Sequence, residues 1–112
     1  MKGTEMKATQ IPEKFKLFGQ NWTIRQATEL EVDGDLGLCV VDDNLILYDG
    51  KQTEQSRQHT ILHEVVHAVE QKLHLNLTEQ QVDLIALGLL EVFTHTPAMM
   101  NLFKQGVDNG KR

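Results

Sequence analysis

Along the first half of the chain, apolar residues recur near every second position. They do so from Phe15 to Phe18 and from Trp22 to Ala27, on either side of the turn-forming group Gly19-Gln20-Asn21, and this pattern predicts a β-hairpin. A second pair of segments, Gly37 to Val41 and Leu45 to Tyr48, flanks Asp42-Asp43-Asn44, and Asp33-Gly34 adds a turn signal within Val32 to Asp35. Three or four antiparallel strands are expected. After Asp49-Gly50, no Gly or Pro interrupts a helix that Thr53 or Ser56 would cap and that should run to about His74, before Asn76 ends it. Thr78, with Gln81 three residues later, forms a capping box for a second helix reaching about Phe93, and Pro97 opens a short third helix from Ala98 to Lys104. A small antiparallel sheet followed by three helices is the pattern of an α+β domain.

Composition narrows the class. A chain of 112 residues, 40% hydrophobic and 24% charged, suits one domain spanning 1–112, with polar ends at 1–10 and 106–112 expected to be flexible. The longest apolar runs, such as Leu84 to Leu90, fall well short of the roughly 20 residues that cross a bilayer, so no membrane partner is expected. Met1 to Gln10 is polar and does not read as a secretory signal, which makes a cytoplasmic location the expectation. A net charge of −5 without any long run of Lys or Arg argues against direct contact with nucleic acid. Cys39 is the single cysteine, which excludes an internal disulfide and a multi-cysteine zinc cluster; it reads as a small buried hydrophobe.

The chemistry is concentrated in His63-Glu64-Val65-Val66-His67. Residues four apart on a helix lie on one face, about 6 Å apart along the axis, so two imidazoles at this spacing can converge on one Zn²⁺. Glu64 follows a ligand but is rotated by about 100°, which lets its carboxylate act as general base on a water without occupying the metal. By chance alone, such a five-residue pattern would occur in a chain of this make-up with a probability of roughly 1–2%. The bland alternative is two helical histidines making ordinary hydrogen bonds beside a solvated glutamate.

A catalytic zinc site usually takes a third protein ligand. Glu79, on the first turn of the second helix, could supply it if the two helices fold antiparallel, which gives the ligand set His63, His67 and Glu79. Asp83, one turn further on, could ligate instead, or could accept a hydrogen bond from the free nitrogen of a ligand histidine. Acidic residues also favour helix N-termini for electrostatic reasons alone. Glu91 is expected to be exposed. His59 extends the row of histidines, but its ends lie about 12 Å apart, too far for His59 and His67 to share an ion. His74 and His95 read as polar surface or helix-end residues.

The stretch HTILHEVVHAVEQKLHLNLTEQQVDLIALGLLEVF, from His59 to Phe93, resembles the small phage and prophage zinc metallopeptidases related to the ImmA/IrrE family. The specific match runs from Thr60 to Phe93, and FGQNWTIR and LGLCVVDDNLILYDG are more loosely similar to the N-terminal strands of that group. The resemblance implies a minimal zincin-like fold, Zn²⁺ held by His63, His67 and an acidic residue of the next helix, and Glu64 as catalytic base. Carried over by position, the acidic residue is Glu79. The resemblance also implies hydrolysis of a peptide bond in a protein or peptide substrate, a repressor being one such class.

An endopeptidase of this kind could hold an extended peptide by β-addition, with Leu45 to Tyr48 the expected edge strand. The competing readings are a non-catalytic zinc-binding or interaction module of phage origin, and a structural or adaptor domain in which the motif is coincidental. Manganese and iron also suit imidazole and carboxylate ligands.

Overall fold

The computed structural model describes residues 10–109, with side chains as far as residue 104. It has the α+β architecture expected, a four-stranded sheet with helices packed on it. Of the expected flexible ends, residues 1–9 and 110–112 lie outside the described residues, and 106–109 continue the last helix.

Strands β1 (Lys14–Leu17) and β2 (Gln20–Gln26) form the expected hairpin, but its turn is tighter than Gly19-Gln20-Asn21 suggested. Leu17 pairs with Gln20, leaving Phe18 and Gly19 as a two-residue loop with φ of 50° and 79°. Two left-handed residues in succession match the right-handed twist of the flanking strands, and this preference places a Phe at a positive φ. A one-turn helix, α1 (Glu29–Val32), follows. It was not expected, although its signal is present in the sequence: Thr28 and Glu31 form a capping box, and Arg25 makes two hydrogen bonds to Glu31, of 3.0 and 2.7 Å.

The sheet itself is mixed rather than wholly antiparallel. Strand β3 (Gly37–Val40) pairs antiparallel with β4 (Leu45–Tyr48) across a 3-10 turn at Val41–Asp43, and β4 then inserts beside β2 in parallel, giving the order β1-β2-β4-β3. The sequence of β4, Leu-Ile-Leu-Tyr, explains its place. It is apolar on both faces, and its middle residues Ile46 and Leu47 point to opposite faces and are both buried, as suits a central strand. Leu45 to Tyr48 is therefore not an edge; among the described residues the edges are β1 and β3.

Helix α2 (Glu54–Lys72) is capped by Thr53, one of the two candidates, and ends two residues short of His74. Ile61, Val65 and Ala68 pack on the sheet against Trp22, Ile24 and Ile46, while Leu62 and Val66 meet Val82 and Ala86 of α3 (Glu79–His95). Between these two contacts lies a third face carrying His59, His63 and His67. Left-handed residues at His74 and Asn76, with φ of 56° and 58°, reverse the chain within a few residues, so α3 begins alongside the middle of α2. Helix α4 (Ala98–Asn109) is longer than the expected Ala98 to Lys104. No single helix among the described residues is long and apolar enough to cross a membrane; α3 and α4 pass that test only as a pair bent by 93°.

The start of α3 depends on its cap. Thr78 Oγ1 accepts from the Gln81 N–H at 3.1 Å, and the Gln81 side chain accepts from the Thr78 N–H at 2.9 Å. Thr78→Ala is expected to lower stability by about 1 kcal/mol in denaturant unfolding, with Thr78→Ser close to the parent.

Candidate metal centre

The reversal at Asn76 places the first turn of α3 against the histidine face of α2. Glu79 bridges the two imidazoles: its Oε2 lies 2.8 Å from His63 Nε2 and its Oε1 lies 2.9 Å from His67 Nε2. The rings stand edge to face with centroids 4.9 Å apart, and ligand-capable atoms of all three residues fall within 4.8 Å of one another. His63 and His67 are largely shielded from solvent, while Glu79 remains open on its outer side.

The opposite nitrogen of each ring also has a carboxylate. His63 Nδ1 is 3.0 Å from Asp83 Oδ1, and His67 Nδ1 is 3.3 Å from Glu70 Oε2. Glu70 is itself buried and accepts from the Leu77 N–H at 3.2 Å, which ties the ring of His67 to the connection between α2 and α3. A neutral imidazole has one N–H and one lone pair. Four ring nitrogens facing carboxylate oxygens therefore need either two doubly protonated rings or a cation in place of the two Nε2 protons. With Nδ1–H donated to Asp83 and Glu70, the Nε2 lone pairs and the Glu79 oxygens form a nitrogen-nitrogen-oxygen donor set of the type that holds zinc, and the residues fit that ion.

Charge and burial act together here. Burial alone would pull the His63 imidazole down, but its hydrogen bonds to Asp83 and Glu79 outweigh it and hold the ring above its ordinary value. Partial burial would raise the Glu79 carboxyl, yet the neighbouring His63 and His67 hold it below the usual range. Glu64 shows the reverse balance. Burial raises its carboxyl, against the pull of His63 and His67, and the negative charges of Glu79 and Asp35 raise it further.

Glu64 and the histidines line a cleft of about 490 Å³ whose facing wall is residues 35–39, which lead into edge strand β3 and form its first three residues. The close approach of helix and strand depends on Gly37. A Cβ there would sit 2.5 Å from Thr60 Cγ2 and 3.1 Å from Glu64 Oε2, so only glycine lets the strand lie this near the glutamate. Cys39 also faces the cleft. Its thiol is pushed up to about 12 by burial and by the charges of Glu64 and Glu70, so it stays protonated, as the reading of a small hydrophobe requires.

No family model, curated protein or solved structure matches the chain. The site therefore rests on its own residues.

The structure brings together His63, His67 and Glu79, with Glu64 in the same cleft. Of the two roles open to Asp83, the geometry matches the hydrogen-bond acceptor behind His63. Glu91 is exposed, His95 lies 3.8 Å from it on the surface, and His74 sits in the reversal after α2. Glu70 and Gly37 were not foreseen. Glu70 could have been found three residues after His67 on the same helix; Gly37 carries no such local signal, because its constraint comes from a helix far along the chain.

The raised carboxyl of Glu64 has a consequence for the metal-free protein. A glutamate whose folded pKa lies above its ordinary 4.5 destabilises the fold as pH rises through the interval between the two values, and has no such effect below it. Glu64→Gln should unfold at a higher denaturant concentration than the metal-free parent at pH 7, and the difference should vanish below about pH 4.5. An equal difference at pH 4 and pH 7 would contradict the burial of this charge.

Proposed function

We propose that the chain is a zinc-dependent metallopeptidase that hydrolyses a peptide bond in a protein or peptide substrate. The observation that carries this reading is the double bridge of Glu79 to His63 Nε2 and His67 Nε2 beside a buried glutamate in an open cleft. The bland alternative required a solvated Glu64, whereas this residue is only 7% exposed.

His63, His67 and Glu79 would hold the ion, while Asp83 and Glu70 keep the two rings oriented through their Nδ1 atoms. When bound, zinc polarises a scissile carbonyl and makes a neighbouring water more acidic. Glu64 takes the proton of the attacking water on its carboxylate and delivers it to the nitrogen of the leaving amine. A carboxyl raised by burial suits both halves of that transfer, since its carboxylate is the stronger base towards the water and its acid form still yields the proton to an amine, which is a far stronger base. Strand β3 takes the role expected of Leu45 to Tyr48. It is the edge beside the histidines, and its outer backbone groups, which pair with no other strand among the described residues, can hold an extended peptide across the cleft. Repressors remain one class of protein substrate for this reading, and a cytoplasmic location is proposed with it.

The test pairs metal with the base. Zinc-loaded protein is incubated with a library of unfolded peptides, and new termini are read by mass spectrometry. Cleavage is expected only with metal present, and Glu64→Gln should bind zinc as the parent does while losing about 10²–10⁴-fold in rate. Metal-dependent cleavage that survives Glu64→Gln would overturn the mechanism. Zinc binding without turnover in either protein would favour the non-catalytic zinc module.

A further inference from the structure

The row of histidines on α2 is too long to serve one ion, yet His59 is not an idle member of it. The structure divides the row into two sets that share His63. On one side, His63 Nε2 faces Glu79 and His67; on the other, His63 Nδ1 lies 3.0 Å from Asp83 Oδ1, and His59 Nε2 approaches the same oxygen at 3.0 Å. Ligand-capable atoms of His59, His63 and Asp83 fall within 4.8 Å of one another. His59 Nε2 is also in an unusual condition. Despite its distance from Asp83 it lacks the geometry of a hydrogen bond, and it is closed to solvent without a hydrogen-bond partner among the described residues. A polar nitrogen left in that state is costly, and a ligand for it removes the cost.

We propose that His59, Asp83 and Nδ1 of His63 form a second, weaker site for a divalent transition-metal ion, adjoining the first through the imidazole of His63. The proposal rests on the reading above in taking Nε2 of His63 as the ligand of the first ion. Two ring nitrogens and one carboxylate oxygen select zinc, copper or nickel over magnesium and calcium, which favour oxygen ligands throughout. Filling the site displaces the Nδ1 proton of His63 to solvent and turns Asp83 from hydrogen-bond acceptor into ligand. The second ion thus removes a support of the first, which makes the pair of sites responsive to excess metal.

Equilibrium dialysis of the full chain, purified without an affinity tag of histidines, counts bound zinc per chain as free zinc is raised. Two equivalents are expected, the second at least about tenfold weaker, the scale on which loss of an outer hydrogen-bond partner weakens a metal site. His59→Ala and His59→Gln should each abolish the second equivalent and retain the first, with unchanged far-ultraviolet circular dichroism. One equivalent in the parent overturns the second site and leaves the first standing. A second equivalent that survives both His59 variants places that ion elsewhere and overturns it as well. No bound zinc overturns both sites.

Discussion

Two imidazoles cannot face four carboxylate oxygens without additional positive charge, and this electrostatic constraint governs the molecule around α2. Asp35, Glu64, Glu70, Glu79 and Asp83 all act on His63 or His67 or line their cleft, in a chain that already carries a net charge of −5. Protonating both rings is one solution, and the raised imidazole of His63 leans that way. A divalent cation in place of the two Nε2 protons is the other. It concentrates charge where Glu79 meets both rings and leaves the Nδ1 hydrogen bonds intact.

The packing of α2 makes this arrangement possible. One face of the helix supplies Ile61, Val65 and Ala68 to the sheet, another supplies Leu62 and Val66 to α3, and the histidine face opens between them. Each apolar contact sets one wall of the cleft. The sheet contact brings β3 close enough that residue 37 must be glycine, and the α3 contact brings Glu79 and Asp83 onto the rings. Glu64 is buried on the strand side, where loss of hydration raises its carboxyl. Glu64 and the cluster of His63, His67 and Glu79 thus owe their different electrostatics to different walls of one cleft.

Much of this was legible because it is encoded locally. Spacing along one helix put His63 and His67 together, and the capping box at Thr78 placed Glu79 on the first turn of the next helix. The parallel pairing of β2 with β4 was not legible, because strand order is decided by which strand is apolar on both faces, and hairpin patterns suggest sequential neighbours instead. The same error moved the expected edge from β3 to β4. Asp83 showed two possible roles in the sequence, and only the position of its carboxylate against Nδ1 separates them. Spacing set His59 apart from His67, and no cluster of ligand-capable atoms among the described residues holds both, but spacing could not reveal that His59 Nε2 would be buried against Asp83.

The most direct measurement is the anomalous scattering of zinc in crystals of the metal-loaded protein. The expected result is a peak about 2.0–2.2 Å from Nε2 of His63, Nε2 of His67 and one oxygen of Glu79, with Glu64 outside the ligand sphere. Zinc bound through Glu64, or held by residues away from the junction of α2 and α3, would contradict the assignment.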